Sequence, residues 1–398
     1  MVFKAALSNV TVLDLTRVLA GPFCSMMLAD MGANVIKIEN PKEGADERKM
    51  GPFKNGESAY FMNLNRNKKG VTLNLKNPKG KAMFLEMVKK ADIVLENFRP
   101  GTMEKLGLGY EDLKKVNPKI VYGCISGFGH TGRYSQKPGY DIIAQAMGGL
   151  MSTTGWPGGE ATRTGTAMGD ILAGLSAGVG VLAALNARTV TGQGQKVDIA
   201  LVDSVVASLE IINMIYLVQG RIPQRIGNRY ESTYPYDSFR GSDGSLVIGA
   251  GNDKLWQDLA KVMGMPELAE KPEFRTVPDR VAHHEELRKI IEGWTAKYTV
   301  QQIYDMVDGA GVPCAPIYSI DQVVKDPHIA GDRKMFVETE HPVAGKITLT
   351  GSHLKLSETS TDVRNPSPAL GQDNENVYGE LLGYSPEKVA ELKAEGVL

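Results

Sequence analysis

The sequence predicts an α/β protein: a large domain built on a parallel sheet covered by helices, and a smaller α+β domain placed before the chain returns to the first. Three observations predict it. Short apolar runs rich in β-branched residues alternate with helical patterns through the first two hundred residues, the mark of strand–helix–strand units. The texture then changes near Gly220, where Arg221-Ile-Pro-Gln-Arg225 and a polar, aromatic stretch read as a crossing between domains. The length of 398 residues also exceeds what one hydrophobic core usually serves.

Strands of the large domain are expected at residues 10–15, 35–39, 71–75, 93–96 and 120–126, with a further short one at 196–200. Between them, residues 22–31 and 78–90 each open with proline at a first helical position and read as crossover helices. Residues 171–185 form an Ala/Gly-rich apolar helix, and 202–218 read as one long apolar helix. The large domain spans 1–219 and a linker spans 220–237. The small domain spans 238–330, opening with a hairpin of residues 236–239 and 246–248 around Ser242-Asp-Gly244 and continuing with helices at 254–263, 283–297 and 300–309. Residues 331–398 return to the large domain through strands at 336–340 and 346–350 and a helix at 386–395.

Charge is balanced, 45 Lys plus Arg against 46 Asp plus Glu, so no global field exists to recruit nucleic acid or an anionic membrane. Any anion is held locally. Cys24, Cys124 and Cys314 are odd in number, far apart and outside any metal-ligand spacing, which fits a reducing, cytoplasmic compartment. Residues 1–7 lack the basic and apolar regions of an export signal. The 171–185 segment is shorter than the ~20 residues a bilayer needs and is bounded by Asp170 and Arg188, so a buried helix is expected rather than a span.

Several residues could carry chemistry. Gly127-Phe-Gly-His-Thr-Gly132 matches G-x-G-x-x-G after a strand, yet Arg133-Tyr-Ser-Gln-Lys-Pro138 does not open a helix and no acidic residue ends a second strand about 20 residues on. It reads as a surface turn, with no nucleotide cofactor. Asp170, ahead of the apolar helix, is expected to accept backbone N–H bonds at a helix start and so to stay ionised. That suits a carboxylate nucleophile and equally an ordinary cap. Cations and small residues recur at strand ends: Arg17 with Ala20-Gly21, Lys37, Lys76, and Asn97-Phe98-Arg99. In an open parallel sheet these positions face one crevice, where Arg99, Lys76 and Lys105 would neutralise phosphates and Phe98 would meet a flat base. Gly249-Ala250-Gly251-Asn252 follows a strand of the small domain and suits a mobile loop or a plain turn. No histidine spacing suggests a metal.

Taken together, the residues resemble the family III CoA-transferases over essentially the whole chain. The resemblance rests on Val12-Leu-Asp-Leu15 with Ala20-Gly-Pro22, Leu28-Ala-Asp-Met-Gly-Ala-Asn-Val-Ile-Lys-Ile-Glu39, Asn65-Arg-Asn-Lys-Lys69, Leu73-Asn-Leu-Lys76, and Glu96-Asn-Phe-Arg-Pro-Gly101 with Leu106-Gly-Leu-Gly-Tyr110. It continues through Ile125-Ser-Gly-Phe-Gly129, Gly139-Tyr-Asp141, Gln145-Ala146, Gly148-Gly149, Gly169-Asp170, Thr191-Gly-Gln-Gly-Gln195 and Val197-Asp198. It implies a Rossmann-like large domain and two chains threaded as interlocked rings in a homodimer. It implies coenzyme A, carried as acyl-CoA, as the ligand, with Asp170 as nucleophile. By the same resemblance Arg17, Val18, Ala20, Leu73, Lys76, Asn97, Phe98, Arg99, Lys105, Lys137 and Tyr140 hold CoA, and Gly249, Ala250, Gly251 and Asn252 form a lid that keeps water from aspartyl intermediates.

The sequence departs from some relatives at two places. Asn40 stands where some members have arginine on the adenine side, and Arg17-Val-Leu19 replaces a segment with His and Gln in formyl-CoA:oxalate enzymes, which argues against oxalate as acceptor. Two other readings stay open: an α-methylacyl-CoA racemase, whose His-Asp pair is replaced here by Tyr140-Asp141, and a non-catalytic acyl-CoA-binding protein. A tyrosine is a poor base near neutral pH.

Overall fold

The computed structural model describes residues 5–398, so most of the segment read against an export signal lies outside the described residues. The chain divides into two compact units, one of residues 1–150, 163–220 and 327–398, the other of 151–162 and 221–326. The second unit thus takes in a short excursion at 151–162 and begins where the sequence reading has its linker.

The first unit is organised by six strands: β1 (Thr11–Asp14), β2 (Asn34–Glu39), β3 (Lys69–Thr72), β4 (Ile93–Glu96), β5 (Val121–Ser126) and β6 (Lys196–Ala200). They pair in parallel in the order β3-β2-β1-β4-β5-β6, with Val12 opposite both Val35 and Ile93. The order steps outward on one side from β1 to β3 and on the other from β4 to β6, which makes the β1/β4 boundary the point where crossovers reverse and a crevice opens at the strand ends. Alternate residues feed opposite faces. Leu13, Ile36, Val94 and Tyr122 enter one core, while Val12, Val35, Ile93 and Val121 enter the other. Both faces are covered, which is why these strands read as nearly continuous apolar runs.

Helices α1 (Ala20–Asp30) and α2 (Ala59–Leu64) flank β2, and α3 (Pro78–Val88) follows β3, capped by Asn77 with Pro78 at its first turn. After α4 (Asp141–Met147) comes α5 (Met168–Thr191), 24 residues rather than the shorter helix read from sequence. It is the one helix among the described residues long and apolar enough to cross a membrane. Its Gly174, Ala177 and Val181 nevertheless sit in the core, and Gly174 meets the carbonyl of Ala20, an approach that a side chain would block. The expected single helix over 202–218 is two, α6 (Leu201–Ser208) and α7 (Glu210–Gln219), bent by 75°. The break falls at Glu210, whose φ of 36° cannot continue a right-handed helix.

In the second unit β7 (Tyr236–Arg240) and β8 (Ser245–Gly249) form the expected hairpin. A third strand, β9 (Cys314–Pro316), pairs antiparallel with β8. Three amphipathic helices, α8 (Asp253–Val262), α9 (His284–Thr295) and α10 (Val300–Gly309), close the core around Trp256, Leu287 and Ile303. Back in the first unit, β10 (Phe336–His341) and β11 (Gly345–Thr350) pair, and α11 (Asn374–Leu382) and α12 (Pro386–Ala394) pack against the main sheet. The Tyr378 hydroxyl donates to the Thr72 carbonyl at 2.7 Å and fixes that return on edge strand β3.

Candidate active site

The ends of β1, β4 and β5 open onto a cavity of about 180 Å³ at the reversal of strand order. It is lined by Arg17, Val18 and Ala20 after β1, by Asn97, Phe98 and Arg99 after β4, by Ser126 at the end of β5 and Gly127 after it, and by Lys137, Tyr140 and Asp170. Most of these residues, far apart in sequence, meet here because they follow strand ends or precede helices on the same edge; Lys137 comes from the loop before α4. A second cavity of about 300 Å³ adjoins it, sharing Arg17, Asp46 and Phe98 and adding Leu73, Lys76, Asn40 and Glu39. The two make one groove whose walls carry cations along an aromatic ring.

Asp170 occupies the first turn of α5, not the capping position, and it is half-buried. The expectation that it collects backbone N–H bonds and stays ionised is corrected. Those amides go to Asp141, whose Oδ1 accepts from Gly169 N–H at 2.8 Å and from Asp170 N–H at 3.4 Å. Asp141 is held in turn by Gln145, which donates through Nε2 at 2.7 Å while its Oε1 accepts from the Thr164 amide. Burial, with the Asp141 carboxylate second, pushes Asp170 up to about 7. At neutral pH it is therefore divided between acid and carboxylate, and the ionised form is poorly solvated, which sharpens a nucleophile.

The remaining predicted residues separate into three groups. Arg17, Val18, Ala20, Asn97, Phe98, Arg99, Lys137 and Tyr140 share the cavity with Asp170, and Leu73 and Lys76 line the adjoining one. Arg17 pairs with Asp46 at 3.0 Å and lies 5.6 Å from the Phe98 ring centre; Lys137 lies 4.0 Å from that of Tyr134. Lys105 is exposed and lines neither cavity. Lys37, expected at the crevice, is fully buried and ion-paired with Glu47. Gly249, Ala250, Gly251 and Asn252 belong to the second unit, where the Gly251 carbonyl accepts from Thr233 Oγ1 at 3.0 Å and Asn252 caps α8. Asp46 and Asp141 are not among the expected site residues; nothing local in sequence marks Asp46, whereas Asp141 appears only in the Gly139-Tyr-Asp141 block and as the counterpart of the racemase acid.

The glycine loop after β5 leads into no helix until Asp141. Its His130 amide instead donates to Asp198, and its ring reaches a buried group: Glu96, Cys124 and His130 hold potential ligand atoms within 4.8 Å of one another. A metal would need the Nε2 lone pair, with Nδ1–H given to an acceptor. Lys196 Nζ stands 3.1 Å from Nδ1, and a lysine ammonium there donates, which leaves the proton on Nε2 facing Glu96 at 3.6 Å. A protonated Nε2, without a hydrogen-bond partner, offers no lone pair to a cation, so the donor set does not fit a metal.

A parallel sheet with a half-buried carboxylate and several cations at its reversal point suits acyl transfer with an anionic ligand. The comparisons agree with that chemistry. Residues 7–374 match the model of CoA-transferase family III. The chain is 41% identical to succinyl-CoA–D-citramalate CoA-transferase of Chloroflexus aurantiacus, covering 98% of each, and 39% identical to human succinyl-CoA:glutarate CoA-transferase, covering 98% of this chain and 90% of that one. The crystal structure of a CAIB/BAIF family protein from Brucella suis superposes with a TM-score of 0.83 at 35% identity, covering 95% of this chain and all of that one. The chain belongs to CoA-transferase family III.

Proposed function

We propose that this CoA-transferase moves CoA from an acyl-CoA to a free acid through covalent intermediates on Asp170. The carboxylate attacks the donor thioester carbonyl and expels CoA thiolate, leaving a mixed anhydride. The thiolate then attacks the aspartyl carbonyl, which releases the donor acid and leaves an aspartyl-CoA thioester. The acceptor carboxylate attacks that thioester, and the expelled thiolate takes the new acyl group and restores Asp170. Each step exchanges one acyl bond for another of similar energy and consumes no proton. The observation that carries this reading is the half-buried Asp170, pushed up to about 7, inside the cavity at the strand ends.

In this reading Arg17, Lys76, Arg99, Lys105 and Lys137 meet the phosphates of CoA, Phe98 stacks on its base, and Val18, Ala20, Leu73, Asn97 and Tyr140 shape the channel. Residues Gly249 to Asn252 serve as a lid. The names of the relatives favour succinyl-CoA as donor and a dicarboxylic acid as acceptor. Pairing of two chains is supported by apolar side chains left exposed on α5 and α7, among them Val179, Val190, Leu217 and Val218; their interlocking rests on the family resemblance. A cytoplasmic location is supported by three unpaired thiols.

The test is incubation with succinyl-CoA and a panel of acids, with hydroxylamine or borohydride trapping and mass spectrometry. A modified peptide spanning Asp170 is expected in the native chain and none in D170A. Turnover by D170A sinks the mechanism, and deuterium entering an α-carbon without acceptor acid decides for the racemase.

A further inference from the structure

Among the described residues, five that are not glycine have φ in the left-handed region: Val18 at 68°, Asn55, Asn67, Glu210 and Lys334. Val18 alone of these is β-branched, the side-chain type that sterics most disfavour there. It also lines the cavity that holds Asp170. Such a conformation persists only where the surroundings over-determine it.

The surroundings do so through side chains from four parts of the fold. The Val18 amide donates to Glu47 Oε2 at 2.9 Å. Glu47 Oε1 accepts from Lys37 Nζ at 3.0 Å, and the same ammonium donates to the Thr16 carbonyl at 2.5 Å. One buried ion pair therefore grips both ends of residues 16–18. Between them, the Arg17 amide donates to Asn97 Oδ1 at 2.8 Å and the Arg17 carbonyl accepts from Asn97 Nδ2 at 2.7 Å. The Thr16 amide donates to Asp14 Oδ1 at 2.9 Å. Every backbone donor and acceptor from the Thr16 amide to the Val18 amide is spoken for.

Both charged side chains of the Lys37–Glu47 pair are fully buried. Apolar replacements of buried pairs often match or exceed their stability, so the fold alone gives little reason for this one. A carboxylate with two acceptor oxygens does explain it, because one oxygen takes the lysine and the other the strained amide. We propose that Glu47, set by Lys37, is a positioning residue for CoA binding: it holds Val18 in the left-handed conformation so that the valine side chain forms a fixed wall of the cavity beside Asp170. This rests on the reading of that cavity as the acyl-CoA site.

The test uses residue 18 itself. Asparagine tolerates the left-handed region without outside help. Free CoA is titrated calorimetrically into the full-length native chain, K37M/E47L, V18N and the triple variant, with Tm followed for each. K37M/E47L is expected to stay folded and to weaken CoA binding about tenfold or more, whereas the same pair of changes costs about twofold or less on the V18N background. Equal weakening on both backgrounds, or native affinity in K37M/E47L, overturns the proposal. Should K37M/E47L fail to fold, E47Q with and without V18N makes the same comparison, since glutamine serves one partner but not both. A native chain that binds CoA without transferring it overturns the catalytic reading and leaves this comparison intact; one that binds no CoA overturns both.

Discussion

Asp141 Oδ1 takes the backbone amides of Gly169 and Asp170, at 2.8 and 3.4 Å, at the start of the helix that carries Asp170. Two acids thus stand together at one helix N-terminus. Asp141 is held in place by those N–H groups and by Gln145, while Asp170, lying in the cavity, is pushed up to about 7 by burial first and by the Asp141 charge second. In the proposed mechanism this gives a nucleophile that ionises near neutral pH without the deep solvation that would blunt it.

Replacing Asp141 with asparagine keeps an oxygen for the Gly169 amide but removes the neighbouring charge. Burial, the larger cause, stays, so Asp170 falls below its native value without returning to that of a free aspartate. In D141N the acid limb of the kcat/KM profile is expected to move to lower pH, with several-fold more activity relative to the plateau near about pH 5.5. The Gln145 amide would then face another NH2 group, and a loss of about 1 kcal/mol is expected in denaturant titrations. An unmoved acid limb would show that Asp141 does not set the ionisation.

The raised value of Asp170 also has a consequence for stability. The folded group titrates above the unfolded one, so its protonated form favours the fold, fully so below the unfolded value of 3.8. That contribution is lost as pH rises towards about 7 and then stays lost. D170N carries no such charge, so its Tm advantage over the native chain should be absent near about pH 4, grow through the acid range and level off above neutrality, reaching a few degrees. Scanning calorimetry across that range checks it. An advantage that shrinks with rising pH would mean that the carboxylate is stabilised, not stressed, in the fold.

Much of the large unit was legible because its strands are buried on both faces and announce themselves as apolar runs, and because crevice residues such as Arg17 and Asn97 directly follow them. What escaped was decided by single dihedrals or by distant partners. Nothing around Glu210 marks the φ of 36° that breaks the long apolar helix, and Cys314–Pro316 is too short and too proline-bound to read as a strand. Lys37 read as a crevice cation because a lone lysine in a strand usually reaches water; its burial depends on Glu47, which lies in a short 3-10 turn beyond β2. The ionisation of Asp170 was misjudged because its burial, the larger cause, and the charge of Asp141, 29 positions away in sequence, are both set by the tertiary fold.

Gly174 is where α5 meets the start of α1. A β-carbon there would lie 2.7 Å from the Ala20 carbonyl oxygen, and backbone on both sides leaves little room to yield. Alanine is worth up to about 1 kcal/mol over glycine inside a helix, against about 1–3 kcal/mol for overpacking. G174A is therefore expected to be less stable on balance in denaturant titrations, and to raise KM for acyl-CoA because Ala20 lines the cavity. A stabilised variant with native KM would show that the two helices separate at no cost.

The lid role proposed for Gly249 to Asn252 can be tested at a residue that touches no ligand in that reading. Thr233 Oγ1 donates to the Gly251 carbonyl at 3.0 Å, while a β-carbon on Gly251 would meet nothing within 4 Å, so this bond restrains an open position between the buried Ala250 and Asn252, which caps α8. Valine keeps the shape of threonine and removes only the donor, at a cost of about 1 kcal/mol. If the loop keeps water from the aspartyl thioester, T233V should hydrolyse succinyl-CoA without acceptor several-fold faster while its transfer rate with acceptor changes little, because a looser lid admits water more often than it misplaces bound acid. The ratio of hydrolysis to transfer reads this directly. A ratio equal to that of the native chain would leave the loop as a plain strand-to-helix turn.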